Sequence, residues 1–104
     1  MSGNPQLLSI DFPYSGPWGG EMSAAFAGLA RDIAAESGLL WKVWTENREA
    51  GRAGGVYLFA DENAREAYLA KHTARLKSFG IEDIAVQRFE ANPRLSAITR
   101  AVVA

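Results

Sequence analysis

Leu39-Leu40-Trp41-Lys42-Val43-Trp44-Thr45-Glu46, answered a few residues later by Gly54-Gly55-Val56-Tyr57-Leu58-Phe59-Ala60-Asp61, decides how this chain folds. Both runs are rich in β-branched and aromatic residues and place apolar side chains at consecutive positions, so each reads as a strand that is apolar on both faces. Asn47-Arg48-Glu49-Ala50-Gly51-Arg52 between them is a polar turn with glycine, which joins the two strands as a hairpin. Neither face of a sheet built on this hairpin is suited to water. In 104 residues the chain's own helices can cover one face while the other needs a partner, which predicts an obligate homodimer with an aromatic-lined interior.

Working outward, Gln6 to Phe12 is β-prone and ends at Pro13-Tyr14-Ser15-Gly16-Pro17, whose prolines cannot continue a ladder. From Trp18 or Gly20 to about Glu36, the residues Met22, Phe26, Leu29 and Ile33 recur with the period of one helical face, and Ser37-Gly38 supplies the stop. Asp61 is placed as the N-cap of a second helix running to about Ser78, with Tyr68, His72 and Leu76 at four-residue spacing and Gly80 beyond its end. Ile81 to Glu90 reads as the last strand, and Asn92-Pro93 opens a tail. The order β-α-β-β-α-β is that of the ferredoxin-like α+β plait, in one domain over residues 1–104.

Composition narrows the function. Hydrophobic residues make up 48% of the chain, the formal net charge is -1 and charges of both signs are mixed throughout, so no basic surface points to nucleic acid. The apolar stretches fall well short of the roughly 20 residues of a membrane span, and Met1 to Pro5 lacks the basic start and apolar run of a leader, so the expected compartment is the cytoplasm. The absence of cysteine excludes disulfides, thiolate metal sites and cysteine nucleophiles, and a single histidine excludes a multi-histidine centre.

Gly38 to Glu46, Ala53 to Phe59 and Tyr68 to Leu76 together resemble the YdhR-type mono-oxygenase family of the dimeric α/β-barrel group, which includes the antibiotic-biosynthesis monooxygenases. The resemblance covers nearly the whole chain. It implies a dimer whose two sheets meet face to face. It also implies oxygenase chemistry without a metal, haem or flavin, in which a deprotonated phenol or enol itself donates an electron to oxygen. No cofactor is therefore expected, and no two-histidine-one-carboxylate triad or dinucleotide fingerprint is present. One axial histidine would suffice for haem. The same pocket would also serve a non-catalytic small-ligand binding or stress-response module, or an isomerase.

Such an oxygenase must bind a flat apolar substrate, take a proton, stabilise an anion and exclude water. His72, the only side chain whose ordinary pKa lies near neutrality, is the first catalytic candidate, as base or as donor to the anion; its other reading is a half-buried histidine satisfied by a carbonyl. Tyr57 can donate to a substrate oxygen or complete a cross-strand aromatic cluster with Phe59. Trp41 and Trp44 have opposite parity, so one lines the pocket and the other the dimer seam; Trp41 joins the catalytic candidates and Trp44 the ligand-binding ones. Tyr68, Phe26 and Phe59 complete the expected ligand wall, with Tyr14 and Trp18 as a lid or as a staple for the first helix. Gly54-Gly55 reads as a bulge or close-approach site. Lys42 and Glu46 read as an intersubunit ion pair or as solvated charges at the sheet margin.

Overall fold

The structure, a computed structural model, describes residues 4–103. Its elements run β1 (Gln6–Pro13), α1 (Gly19–Ala34), β2 (Leu39–Asn47), β3 (Arg52–Phe59), α2 (Glu62–Ser78), β4 (Ala85–Glu90) and α3 (Pro93–Ile98). The strands form one antiparallel sheet in the order β2-β3-β1-β4, which is the ferredoxin-like plait expected from the sequence.

Side-chain alternation sorts the sheet into two faces. On the helix side Leu8 and Ile10 of β1 and Tyr57 and Phe59 of β3 are almost fully buried, and they pack with Ile33 of α1 and with Tyr68, Leu69 and Leu76 of α2. Met22 and Ile33 are the buried residues of α1, on the stripe that the apolar spacing predicts. Asp61 caps α2 as expected, its side chain accepting from Ala64 N at 2.8 Å. The opposite face is partly uncovered, with Val43 56% and Phe89 48% exposed. Leu58 is nonetheless fully buried on that face, and the C-terminal segment reaches the neighbouring Trp41, whose Nε1 donates to the Val102 carbonyl at 2.7 Å.

Three local expectations are revised. The last strand begins at Ala85 rather than Ile81. The tail contains the short helix α3, because Asn92 accepts from Leu95 N at 3.0 Å and Pro93 occupies the first turn, where a missing N–H costs nothing. Within the chain Lys42 and Glu46 do not pair: Glu46, exposed at the sheet margin, accepts from Gly19 N at 2.7 Å and so caps α1, whose preceding Trp18 provides no side-chain cap. Lys42 turns inward instead. It lies opposite Tyr57 in the β2–β3 register, on the face that the helices cover.

Gly54 and Gly55 are a close-approach site on β3. A Cβ on Gly54 would lie 1.9 Å from the Ile10 carbonyl oxygen and 2.7 Å from Asp11 Cα, so only glycine lets β1 pair at this point. Gly54→Ala should therefore cost ~3 kcal/mol or more, because backbone rather than a movable side chain blocks the methyl. Gly28→Ala, in α1 with open space around it, should instead gain up to about 1 kcal/mol. Urea unfolding of both variants checks the contrast, and equal stabilities would contradict it.

Candidate functional site

Between the helix side of the sheet and helices α1 and α2 lies a cavity of about 330 Å³. That is within the lower range of small-ligand pockets. Phe12 and Tyr14 come from the end of β1 and its loop, Met22, Phe26 and Leu29 from α1, Trp44 from β2, and Leu76, Phe79 and Ile81 from the end of α2 and beyond. Phe26 stacks on Trp44 at 6.3 Å, and Tyr14 closes against Phe26 at 6.2 Å, so the wall is a continuous aromatic surface. Its polar side chains include Lys42, Tyr57 and His72, and among the described residues no carboxylate lines it.

His72 is 3% exposed, with its ring stacked on Tyr68 at 5.0 Å and edge-on to Tyr57 at 6.3 Å. Its Nδ1 accepts from Arg75, Nε at 3.1 Å and Nη2 at 2.8 Å. An occupied acceptor at Nδ1 leaves the ring proton on Nε2, so the neutral imidazole offers an N–H. Burial, then the Arg75 charge, then Lys42, push the pKa down to about 3. Arg75 is itself held by Asp32 of α1 at 2.8 Å, which ties the two helices together across the histidine.

The Tyr68 hydroxyl donates to that of Tyr57 at 3.2 Å, leaving the Tyr57 O–H to donate further. Burial, with Tyr68 next to it, drives the Tyr57 phenol far above its ordinary range, and burial pushes Tyr68 up to about 12. Both remain protonated, and Tyr57, which accepts from Tyr68, keeps its own O–H to donate into the cavity. Lys42 extends beneath this group with Nζ 3.3 Å from the centroid of the Trp44 ring and 4.7 Å from that of Tyr57. Its stem fits because Gly55 lies alongside: a Cβ there would sit 2.5 Å from Lys42 Cε. Burial, then the charge of Arg75, lower its pKa to about 7.

Of the residues that the sequence singles out, His72, Tyr57, Trp44, Phe26 and Tyr14 meet at this cavity. Tyr68 stands behind Tyr57 and His72. Phe59 belongs to the core beyond Tyr57, and Trp18 backs Tyr14 edge-on at 5.1 Å. Trp41 points to the other face of the sheet, so of the two tryptophans only Trp44 reaches the pocket. Sequence reasoning set aside Lys42 and missed Arg75. Their signals were the shared parity of Lys42 with Trp44, the absent side chain at Gly55 across the hairpin, and the one-turn spacing of Arg75 from His72.

Residues 7–102 match the family described as "Putative mono-oxygenase ydhR", and the chain belongs to that family. Curated proteins give no sequence match. Among solved structures it is similar to NE2512, a protein of unknown function from Nitrosomonas europaea, at 20% identity and a TM-score of 0.59 over 86% of this chain and 90% of that one. It is similar to protein SO0527 from Shewanella oneidensis at 20% identity and a TM-score of 0.61, covering 86% and 93% of the two chains. A mutant of SnoaB, a cofactor-independent oxygenase from Streptomyces nogalater, aligns at 16% identity and a TM-score of 0.58 over 88% of this chain and 95% of its own. These likenesses share the fold. Among the described residues no group of three or more His, Asp or Glu side chains is placed to hold a metal ion, and no helix is long and apolar enough to cross a membrane.

The state of His72 sets a pH dependence. In the unfolded chain the imidazole takes up a proton as pH falls through 6.5, whereas the folded one resists until about 3. The unfolded state therefore binds more protons across that window, and this contribution makes stability fall as pH falls. Unfolding free energy should drop by a few kcal/mol between those limits, and His72→Gln should flatten the slope. Urea titrations at several pH values decide it, and identical slopes would contradict a buried neutral histidine.

Proposed function

We propose that the protein is a cofactor-independent monooxygenase acting on a small aromatic or quinol-like compound bound between the sheet and the helices. The observation that carries this reading is the cavity's composition, an aromatic wall with donor groups from Tyr57 and His72 beside it. The family supports the reaction class. A flat substrate fits against Trp44 and Phe26, and its oxygen meets the Tyr57 O–H and the His72 Nε2–H. Of the two roles open to the histidine, donor to the substrate anion is the one its hydrogen bonds favour.

The chemistry balances with dioxygen as the only oxidant. A substrate deprotonated at its hydroxyl transfers one electron to oxygen, and the two radicals join as a carbon–oxygen bond. The hydroperoxide so formed loses water from a carbon that carried hydrogen, leaving a carbonyl and one oxygen atom in the product. The protein's share is to hold the anion, orient it and keep out bulk water. Two protomers pair, in this proposal, through the uncovered face of the sheet, where Val43 and Phe89 are half exposed.

In a screen of phenols and hydroquinones, oxygen uptake should proceed in chelator-treated, metal-free buffer, and His72→Ala should lower it by roughly 100-fold, the scale of a lost oxyanion donor. An unchanged rate in the folded variant would remove His72 from the mechanism. Activity that disappears with chelation and returns with iron would overturn the cofactor-free reading. Light scattering should find a dimer at micromolar concentration with an interface on the order of 2,000 Å² or more, and a stable folded monomer would refute the pairing.

A further inference from the structure

The proposed reaction begins with loss of a substrate proton, and the groups that stand out in the sequence cannot receive it. The Nδ1 of His72 is engaged by two N–H groups of Arg75, and its Nε2 already carries a proton. Tyr57 and Tyr68 are bonded to each other and hold their protons more firmly than free phenols. Tyr14, at the other end of the cavity, donates to the Pro17 carbonyl at 2.8 Å, and its pKa is also raised. The Arg75 guanidinium presents only N–H donors and no acceptor for a proton.

Lys42 differs from all of these. Among the described residues it makes no ion pair and no hydrogen bond, and its amine lies over the faces of Trp44 and Tyr57. Buried polar groups nearly always have a partner, and no side-chain nitrogen or oxygen that is wholly closed off lacks one here, so this nitrogen keeps access to the cavity. Gly55 leaves the space in which its stem lies. The groups facing it are Tyr57 from β3 and His72 and Arg75 from α2, with Asp32 of α1 reaching it only through Arg75.

We propose that Lys42 is the base of this pocket: its neutral Nζ takes the proton of a phenolic or enolic hydroxyl, and the ammonium so formed holds the oxyanion. The O–H bond breaks, an N–H bond forms, and no oxidant takes part in this step. Burial together with the neighbouring guanidinium keeps the amine largely unprotonated just above neutrality. The two aromatic faces then favour the ammonium once it forms. The substrate class is thereby narrowed to compounds with an ionisable hydroxyl on a flat ring or enol, since an arene without one has no proton to give the amine and forms no anion for it to hold. Arg75 is a positioning residue that suppresses the protonated amine and fixes the ring of His72.

This inference rests on the cavity being the substrate site, and its test is run without oxygen so that it does not depend on turnover. The probe is 3-nitrophenol, whose phenolate absorbs visibly and which is mostly un-ionised in slightly alkaline, lightly buffered solution. On binding to the wild-type protein, the phenolate should go from a minor fraction of the free probe to the major species of the bound one, a rise of about 5-fold or more, with no net proton released to a pH indicator. Lys42→Met should bind the probe without the phenolate band. Lys42→Arg should show the band with one proton released per probe bound, because a guanidinium pairs with the anion but cannot accept its proton. A band that persists in Lys42→Met, a wild-type band accompanied by proton release, or wild-type protein that leaves the probe neutral or unbound at millimolar concentration would each overturn the assignment. If the bound probe ionises as described and no phenol consumes oxygen, the base stands and the oxygenase reading falls; oxygen uptake undiminished in Lys42→Met gives the reverse.

Discussion

The absence of side chains at two adjacent positions of β3 governs both the sheet and the pocket. At Gly54 the backbone of β1 comes so near that a methyl group would overlap the Ile10 carbonyl, and at Gly55 the missing Cβ leaves the channel in which the Lys42 stem lies. Because successive residues of a strand point to opposite faces, one glycine serves strand pairing and the next serves the cavity. β3 is paired on both sides, with β1 and with β2. The same dipeptide thus fixes the register of the central strands and sets the depth at which an amine is buried.

A second constraint acts between the helices. Arg75 reaches from α2 to Asp32 of α1 and lays two N–H groups on the same nitrogen of His72. The exposed half of this arrangement adds little to stability, as surface ion pairs rarely do. Its consequence is chemical: it determines which histidine nitrogen carries the proton and raises the local positive potential against Lys42. Without Arg75 the tautomer of His72 would be unfixed and Lys42 would lie closer to its ordinary range, with burial still acting on both.

The fold was legible because its signals are local and periodic. The paired runs at Leu39–Glu46 and Gly54–Asp61, the helical stripe of Met22, Phe26, Leu29 and Ile33, and the Asp61 cap each report on neighbours within a few residues. The Asn92-Pro93 start of α3 is equally local, since an N-cap followed by proline is a helix opening, but six residues carry too little apolar periodicity to mark a helix beyond it. The cavity's aromatic residues could be named from parity, since Trp41 and Trp44 must face opposite ways. The ionisation states could not. Whether Lys42 is solvated or buried depends on the helices that close over its face, and whether His72 is base or donor depends on the guanidinium one turn further along α2. Those facts belong to tertiary packing, which a hydropathy pattern does not carry.

The charge balance of the cavity gives the site its direction. Lys42 lines it, Arg75 stands behind His72, no carboxylate of the described residues is in the wall, and Asp32 of α1 is already engaged by Arg75. In a low-dielectric enclosure this imbalance raises the free energy of a cation, leaves that of a neutral ligand unchanged to first order and lowers that of an anion. A ligand that becomes anionic on arrival relieves it, and the aromatic wall supplies the dispersion and area that hold a flat ring in place. β2 presents Trp44 and Lys42 to that enclosure and Trp41 and Val43 to the opposite face. A change in its register by one residue would exchange the two sets, burying the face proposed for pairing and exposing the base, so assembly and chemistry are specified by the same strand alignment.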